Sequence, residues 1–398
     1  MRNLFRLLPT ISSSKFHIMK LSRSLFPSLV ILASCIEPFE PDLHSDTFNI
    51  LVVDGFINST NNSATVRFSR AVSLSEEVPP SQDIVATVNI EDEAGTTFTL
   101  NNQGLGYYSL ENIALDNSRK YRLHIYSQFD EEILSDFIEL KDTPPIDSVV
   151  WRPDKDGISI YVNTHDPGAK SRYYSWNYTE TWEYTSTFFS TYKLIDGEAY
   201  SRTPEEYIYS CWSTERSTDI LVGSTSLLSD DVVRDFPLTY IPGESSKLTL
   251  RYSIEVEQRV LTQEAYDFWI QLEKTTESLG GLFDPLPSQV LGNIRSSGTV
   301  STDPVLGYFS GGSVNKQRIF VDFADLPYNI ISIYRPRRCV LEDVSSIAVG
   351  ELPNTPNSVL LIDPVYVQGV GIVAYTTAAN YCIDCRMAGG TNKRPEFW

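Results

Sequence analysis

Histidine is almost missing from this chain: there are four in 398 residues, and only His44, His124 and His165 lie beyond residue 34. No HExxH, GxSxG, Walker-type loop or strand-borne GxGxxG is present, so the common signatures of metalloprotease, serine hydrolase, nucleotide and dinucleotide chemistry are absent. Positive charge is also short, at 32 Lys+Arg against 51 Asp+Glu. That balance argues against nucleic acid and against adhesion to anionic lipid, since both require positive potential. No apolar run approaches the roughly 20 residues that span a bilayer. Cysteine is scarce, with five in all.

The scarce cysteines are placed with purpose. An apolar segment from Leu25 to Leu32, preceded by Lys20 and Arg23, ends in Leu32-Ala33-Ser34-Cys35. A cysteine behind two small residues at the end of a signal-like segment is the substrate of lipoprotein signal peptidase. Cys35 is therefore the expected lipidation site and new N-terminus, with residues 1–34 as leader and Met19 as an alternative start. The leader carries five positive charges and no negative ones, so the mature body holds 27 Lys+Arg against 51 Asp+Glu, a net charge of about −24. Residues 35–47, acidic and proline-spaced, read as an extended tether. Acidic residues behind a lipidated cysteine resemble a surface-export signal, which favours the outer face of the outer membrane over its periplasmic face.

The other cysteines are Cys211, Cys339, Cys382 and Cys385, an even number that suits two disulfides in an oxidising compartment, with three connectivities open. Cys382-Ile383-Asp384-Cys385 read alone is also a redox pair or half a zinc site. It lies in a polar tail rather than at a helix start, and no second close pair exists, so disulfides are preferred and no metal or cofactor is expected.

From Ile50 onward the pattern is of short strands. Ile50–Val53 and Phe56-Ile57 flank Asp54-Gly55; Ile84, Ala86, Val88 and Ile90 alternate, as do Phe98 and Leu100, and Tyr121, Leu123 and Ile125. Turn signals recur every 8–12 residues or so, as in a sandwich. The order of strands and turns over about 48–140 resembles the transthyretin-like sandwich. Asp142-Thr143-Pro144-Pro145 marks a boundary, because two prolines break a strand ladder. The expected architecture is mainly β: an Ig- or transthyretin-like sandwich over 48–143, then a fibronectin-III-like domain over 144–398 with a helical insertion. That helix is expected near 262–279, with Thr262 as N-cap, Ala265, Phe268, Trp269 and Leu272 as its apolar stripe, and Gly280-Gly281 as its stop. After Val340 the pattern is weak.

Candidate functional residues are few. Trp176, Tyr178, Trp182 and Tyr184, extended by Tyr174, share one face of a strand by period two. Such a row is either a platform for sugar or peptide or the sandwich core, and core is preferred. His124 alternates with inward Leu123 and Ile125, so it is placed toward solvent. The acidic doublets Glu76-Glu77, Glu131-Glu132, Glu205-Glu206 and Asp230-Asp231 read as solvated faces rather than glycosidase carboxylates. Asp154-x-Asp156-Gly157 reads as a hairpin turn, and Ser310-Gly311-Gly312-Ser313 as a turn.

The tail runs Cys382-Ile383-Asp384-Cys385-Arg386, then Gly389-Gly390-Thr391 and Pro395-Glu396-Phe397-Trp398. With Val52-Val53-Asp54-Gly55, Gly280–Pro285, Gly292-Asn293-Ile294 and Val305–Phe309, it resembles a family of Bacteroidota outer-membrane lipoproteins carried as a domain of unknown function. Members are commonly encoded beside TonB-dependent transporters. The resemblance implies a non-enzymatic accessory lipoprotein and supplies no site residues. A free-standing glycan- or peptide-binding module is the alternative, and a hydrolase the least favoured reading. The tail itself suggests an end docked in an apolar groove and stapled by its cysteines.

Overall fold

The computed structural model describes residues 51–70, 85–127, 132–277, 292–297, 305–331, 339–340 and 344–398. The expected leader, Cys35, the tether, Glu76-Glu77, Glu131 and the Gly280–Pro287 stretch lie outside the described residues. In chain order the first strands are β1 (Leu51–Asn58), β2 (Ser63–Arg70), β3 (Ala86–Asp92), β4 (Thr97–Thr99), β5 (Asn101–Gly104), β6 (Tyr107–Leu110), β7 (Lys120–Ser127), β8 (Glu132–Ser135) and β9 (Ile138–Glu139). Next come β10 (Ile146–Asp154), β11 (Gly157–His165), β12 (Tyr173–Thr185), β13 (Tyr192–Ile195), β14 (Glu198–Ser201), β15 (Ser210–Arg216), β16 (Leu221–Ser224), β17 (Val232–Pro242) and β18 (Arg251–Val260). Helix α1 (Gln263–Glu277) is followed by β19 (Ile294–Ser296), β20 (Leu306–Gly312), β21 (Asn315–Asp322), β22 (Ser345–Ala348), β23 (Val359–Val367) and β24 (Gly371–Ala379).

The chain is mainly β, as its periodicity predicts, and two sandwiches carry most of the core. The first packs the sheet β20-β1-β2-β6-β5 on β19-β8-β7-β3-β4. Its interior is the alternating set Val53, Ile57, Val66, Phe68, Val88, Ile90, Leu123 and Ile125, closed by Phe309 from β20 and Ile294 from β19. The second packs β10-β11-β17 on β15-β12-β18-β21 around Trp176, Ile158, Ile160, Tyr252 and Ile254. A third, smaller sheet, β22-β24-β23, occupies the region where the sequence pattern is weak; hairpin β13-β14 packs against it through Tyr192 and Leu194.

The boundary drawn at residue 143 is corrected by strand pairing. β20 joins the first sandwich by running parallel to β1, with Val53 opposite Gly307 and Gly55 opposite Phe309, and β19 pairs antiparallel with β8. The first sandwich is therefore completed by chain that arrives some 150 residues after its other strands, and Ser310–Gly312 is strand rather than turn. The prolines at 144–145 do end a ladder, yet the segment is not a free linker. Thr143 donates its amide to Ser313 Oγ at 2.7 Å and its hydroxyl to the Ser313 carbonyl at 2.6 Å. It also accepts the Val260 amide on Oγ1 at 3.1 Å, fastening both sandwiches at one residue.

The close approach of β1, β19 and β20 explains the glycines there. A Cβ on Gly307 would stand 1.8 Å from the Val53 carbonyl oxygen, and its φ of +141° is one that side-chain-bearing residues rarely adopt. A Cβ on Gly292 would stand 1.5 Å from the Gly307 oxygen. Asn293 reaches across as a surrogate backbone group, donating to the Phe309 carbonyl at 2.8 Å and accepting its amide at 2.8 Å. Val52–Gly55, Gly292–Ile294 and Leu306–Phe309 thus meet in space to close one sheet edge. Asp54-Gly55 is not a turn but the middle of a continuous β1.

Helix α1 forms where its cap predicts. The Thr262 hydroxyl accepts the Ala265 amide at 3.2 Å, and Ala265 and Phe268 bury against Leu261 and Tyr308. The helix therefore sits where β20 passes the second sandwich, beside the cleft described next.

Candidate functional site

Three places are candidates for a site: the aromatic row, the buried polar clusters, and a cleft between the sandwiches. The row is core. Trp176 is 1% exposed and packs on Phe236 at 4.2 Å between centroids, and its indole N–H donates to Gln258 Oε1 at 2.9 Å. Tyr174, Tyr178 and Trp182 are buried on the same side, and Tyr184 donates its hydroxyl to the Cys385 carbonyl at 3.0 Å. The face turned to the opposite sheet is the apolar one, as for any half-buried strand, so the row offers no platform to a sugar.

His124 is corrected from a solvent position to a buried one. It does lie on the face opposite Leu123 and Ile125, but neighbouring strands cover it. Nδ1 is 2.5 Å from Glu91 Oε1 on β3, and Nε2 is 2.8 Å from Glu132 Oε1 on β8. Burial pushes the Glu91 carboxyl up, but the hydrogen bonds from His124 and Arg122 outweigh it and hold the group below the usual range. The Glu132 carboxyl is lowered by Ser297 and then by His124. Asp231, read as part of a solvated doublet, is also buried; its Oδ1 accepts the Thr225 hydroxyl at 2.5 Å and the Tyr174 hydroxyl at 3.0 Å. The Glu205-Glu206 pair is solvated as expected, with Glu206 ion-paired to Lys193. Among the described residues no three His, Cys, Asp or Glu side chains are grouped to hold a metal ion.

The cysteines pair as Cys211–Cys385 and Cys339–Cys382. Each cysteine of the C-x-D-C run is committed to a different distant partner, which excludes a redox dithiol there. The chain end docks as its composition suggests. Thr391 exchanges two backbone hydrogen bonds with Trp212 on β15 at 2.8 and 3.0 Å, Arg318 lies 3.6 Å over the Phe397 ring, and the Trp398 ring meets Phe320 edge-on at 5.6 Å.

The cleft is what sequence reasoning missed. It holds about 210 Å³ between the outer face of β1/β20 and the β12/β18 face of the second sandwich, with α1 at one side. Asp54 stands on one wall and Arg259 on the other, with Trp269 and Leu221 as apolar lining and Asn177 and Ser310 as polar lining. Asp54 is on the wall because β1 alternation sends Val53 and Ile57 into the core and Asp54 and Phe56 outward. Arg259 lies flat over Phe56, 3.9 Å from the ring centroid. Its nearest carboxylate, Glu257, is 3.6 Å away and is hydrogen-bonded to Lys316. Arg259 donates no hydrogen bond to any described residue, and its Nε is fully covered without a partner. Asp54 likewise receives none. Burial raises the Asp54 carboxyl, opposed by Arg259, Arg216 and Arg67, and burial lowers the Arg259 guanidinium, opposed by Glu257 and Asp54. Neither residue could be singled out from sequence, since Asp54 reads as a turn and Arg259 as one of several alternating charges along β18.

This arrangement defines a β-sandwich protein with a small cleft lined by an acidic side chain on one wall and a basic one on the other. Residues 36–318 match the model of the family described as "Domain of unknown function (DUF4249)", and the chain belongs to that family. No curated protein matches it. Among solved structures, a chain from "Complete structure of manganese lipoxygenase of Gaeumannomyces graminis and partial structure of zonadhesin of Komagataella pastoris" is 11% identical. The match covers 55% of this chain and 91% of that one at a TM-score of 0.15, which carries no argument about fold or function.

Proposed function

We propose that this protein is a non-enzymatic lipoprotein of the outer membrane, anchored through Cys35 and acting as an accessory to a TonB-dependent transporter. The observation that carries the reading is the distribution of sulfur. Four of five cysteines are joined in two disulfides, which persist in an oxidising, exported environment, and the fifth stands at the end of the signal-like segment. A mature body of net charge about −24 agrees with a solvated envelope protein and with the absence of nucleic acid as partner. The transporter partner rests on the family resemblance of the tail and of the three stretches that meet at β1, β19 and β20. The outer face of the membrane is the proposed side.

The test is mass spectrometry of the N-terminal peptide, together with co-purification from detergent-solubilised outer membrane. A thioether-linked diacylglycerol on Cys35 and recovery of a barrel transporter are expected, and C35S should release the protein from the membrane. A thiol at Cys35 with the leader still attached would overturn the anchoring. Repeated purification without a transporter would overturn the accessory role alone.

A further inference from the structure

The geometry points to the cleft between β1/β20 and β12/β18 as a binding site for a small zwitterion, a free α-amino acid or dipeptide, with its ammonium at Asp54 and its carboxylate at Arg259. This goes beyond the anchoring and transporter reading and does not depend on it.

Three observations carry the inference. First, Asp54 and Arg259 line the same cleft without pairing with each other, neither makes a hydrogen bond to a described residue, and the ion pair of Arg259 with Glu257 is a long one at 3.6 Å. Opposite charges so loosely matched on the two walls leave hydrogen-bonding capacity that a bound ligand can take up. Second, the guanidinium is held in place without donating a hydrogen bond to any described residue. Phe56 supports its flat face at 3.9 Å, and Glu257, the competing carboxylate, is engaged by Lys316. A planar donor fork presented this way suits a carboxylate. Third, the signs and the size select the class. A simple anion would face Asp54 and the nearby Asp219, and a simple cation would face Arg259; a ligand bearing both charges satisfies each wall. About 210 Å³ is somewhat larger than a 150 Å³ cavity that accepts benzene, so it admits an amino acid with a medium apolar side chain against Trp269 and Leu221.

The experiment titrates the purified protein by calorimetry with L-leucine, L-phenylalanine and Leu-Ala, and with N-acetyl-leucine and leucinamide as analogues lacking one charge. Saturable binding of at least one zwitterion is expected, with each blocked analogue weaker by about 10- to 100-fold, the range for loss of one charged hydrogen-bonded contact. D54N should weaken leucine but leave N-acetyl-leucine unchanged, and R259Q should do the converse with leucinamide. Absence of binding by every zwitterion up to about 10 mM, or equal binding by the blocked analogues, would overturn the proposal. The analogue comparison needs only the native protein, so it decides even if a variant fails to fold. A positive result with no transporter recovered, or the reverse, separates this inference from the one above.

Discussion

At the scale of single residues, alternation tells which way a side chain leaves its strand and nothing about what covers it there. His124 is the plain case: it points away from the first core as expected, yet Glu91 and Glu132 close over it. Asp92, at the β3–β4 turn, shows the same effect in a carboxylate. Burial pushes it up, but the Thr96 amide and the Arg119 guanidinium outweigh that and bring it down to about 2. Its folded value lies below the ordinary 3.8, so its stabilising contribution is present above pH 3.8 or so and is lost as pH falls toward 2. Glu91 and Glu132 act in the same direction. Melting temperature is therefore expected to fall steeply below about pH 4, and D92N should flatten that dependence; an unchanged slope would refute the assignment. Trp176 gives a second residue-scale expectation. W176A should cost about 3–5 kcal/mol in denaturant unfolding, as removal of a buried indole does, whereas a surface platform residue would cost almost nothing.

At the scale of elements, β20 was the least legible. β20 carries three glycines and reads as loop because strand propensity disfavours glycine, yet the near contact with β1 admits nothing larger. G307V should destabilise by at least about 3 kcal/mol, because it combines a disfavoured φ with backbone overlap against Val53. Denaturation monitored by tryptophan fluorescence would measure it. The chain end was more legible, since Gly389-Gly390 and the terminal aromatics announce a turn and a docked segment. Removal of residues 391–398 should expose Trp212 and Phe320 and lower stability by about 1–3 kcal/mol. Reduction of the two disulfides, which close separations of 174 and 43 residues, should cost roughly 2–4 kcal/mol each. Helix α1, by contrast, was readable from cap and stripe together, because both signals are local.

At the scale of the whole molecule, the two sandwiches are not successive beads. A fragment of residues 48–143 lacks β19 and β20, leaving the β1 edge unpaired and the Phe309 position in the core empty. It is expected to be unfolded by circular dichroism and poorly dispersed by NMR, and appending residues 292–313 through a flexible linker should restore structure. A well-folded 48–143 fragment would show that the late strands are dispensable. The cleft exists only because β20 returns to the first sandwich while β18 and α1 remain with the second, which brings Asp54 within reach of Arg259 across some 200 positions of sequence.

The amino-acid sequence by itself determined the β class, the approximate strands, the helix and its cap, and the four cysteines available for pairing, since each depends on neighbours a few residues apart. Tertiary structure alone decided which cysteine meets which, which strands finish which sheet, that His124 and Asp231 are buried, and that two charges face each other in a cleft. Those are long-range matters, set by how apolar faces close on one another, and no local period records them.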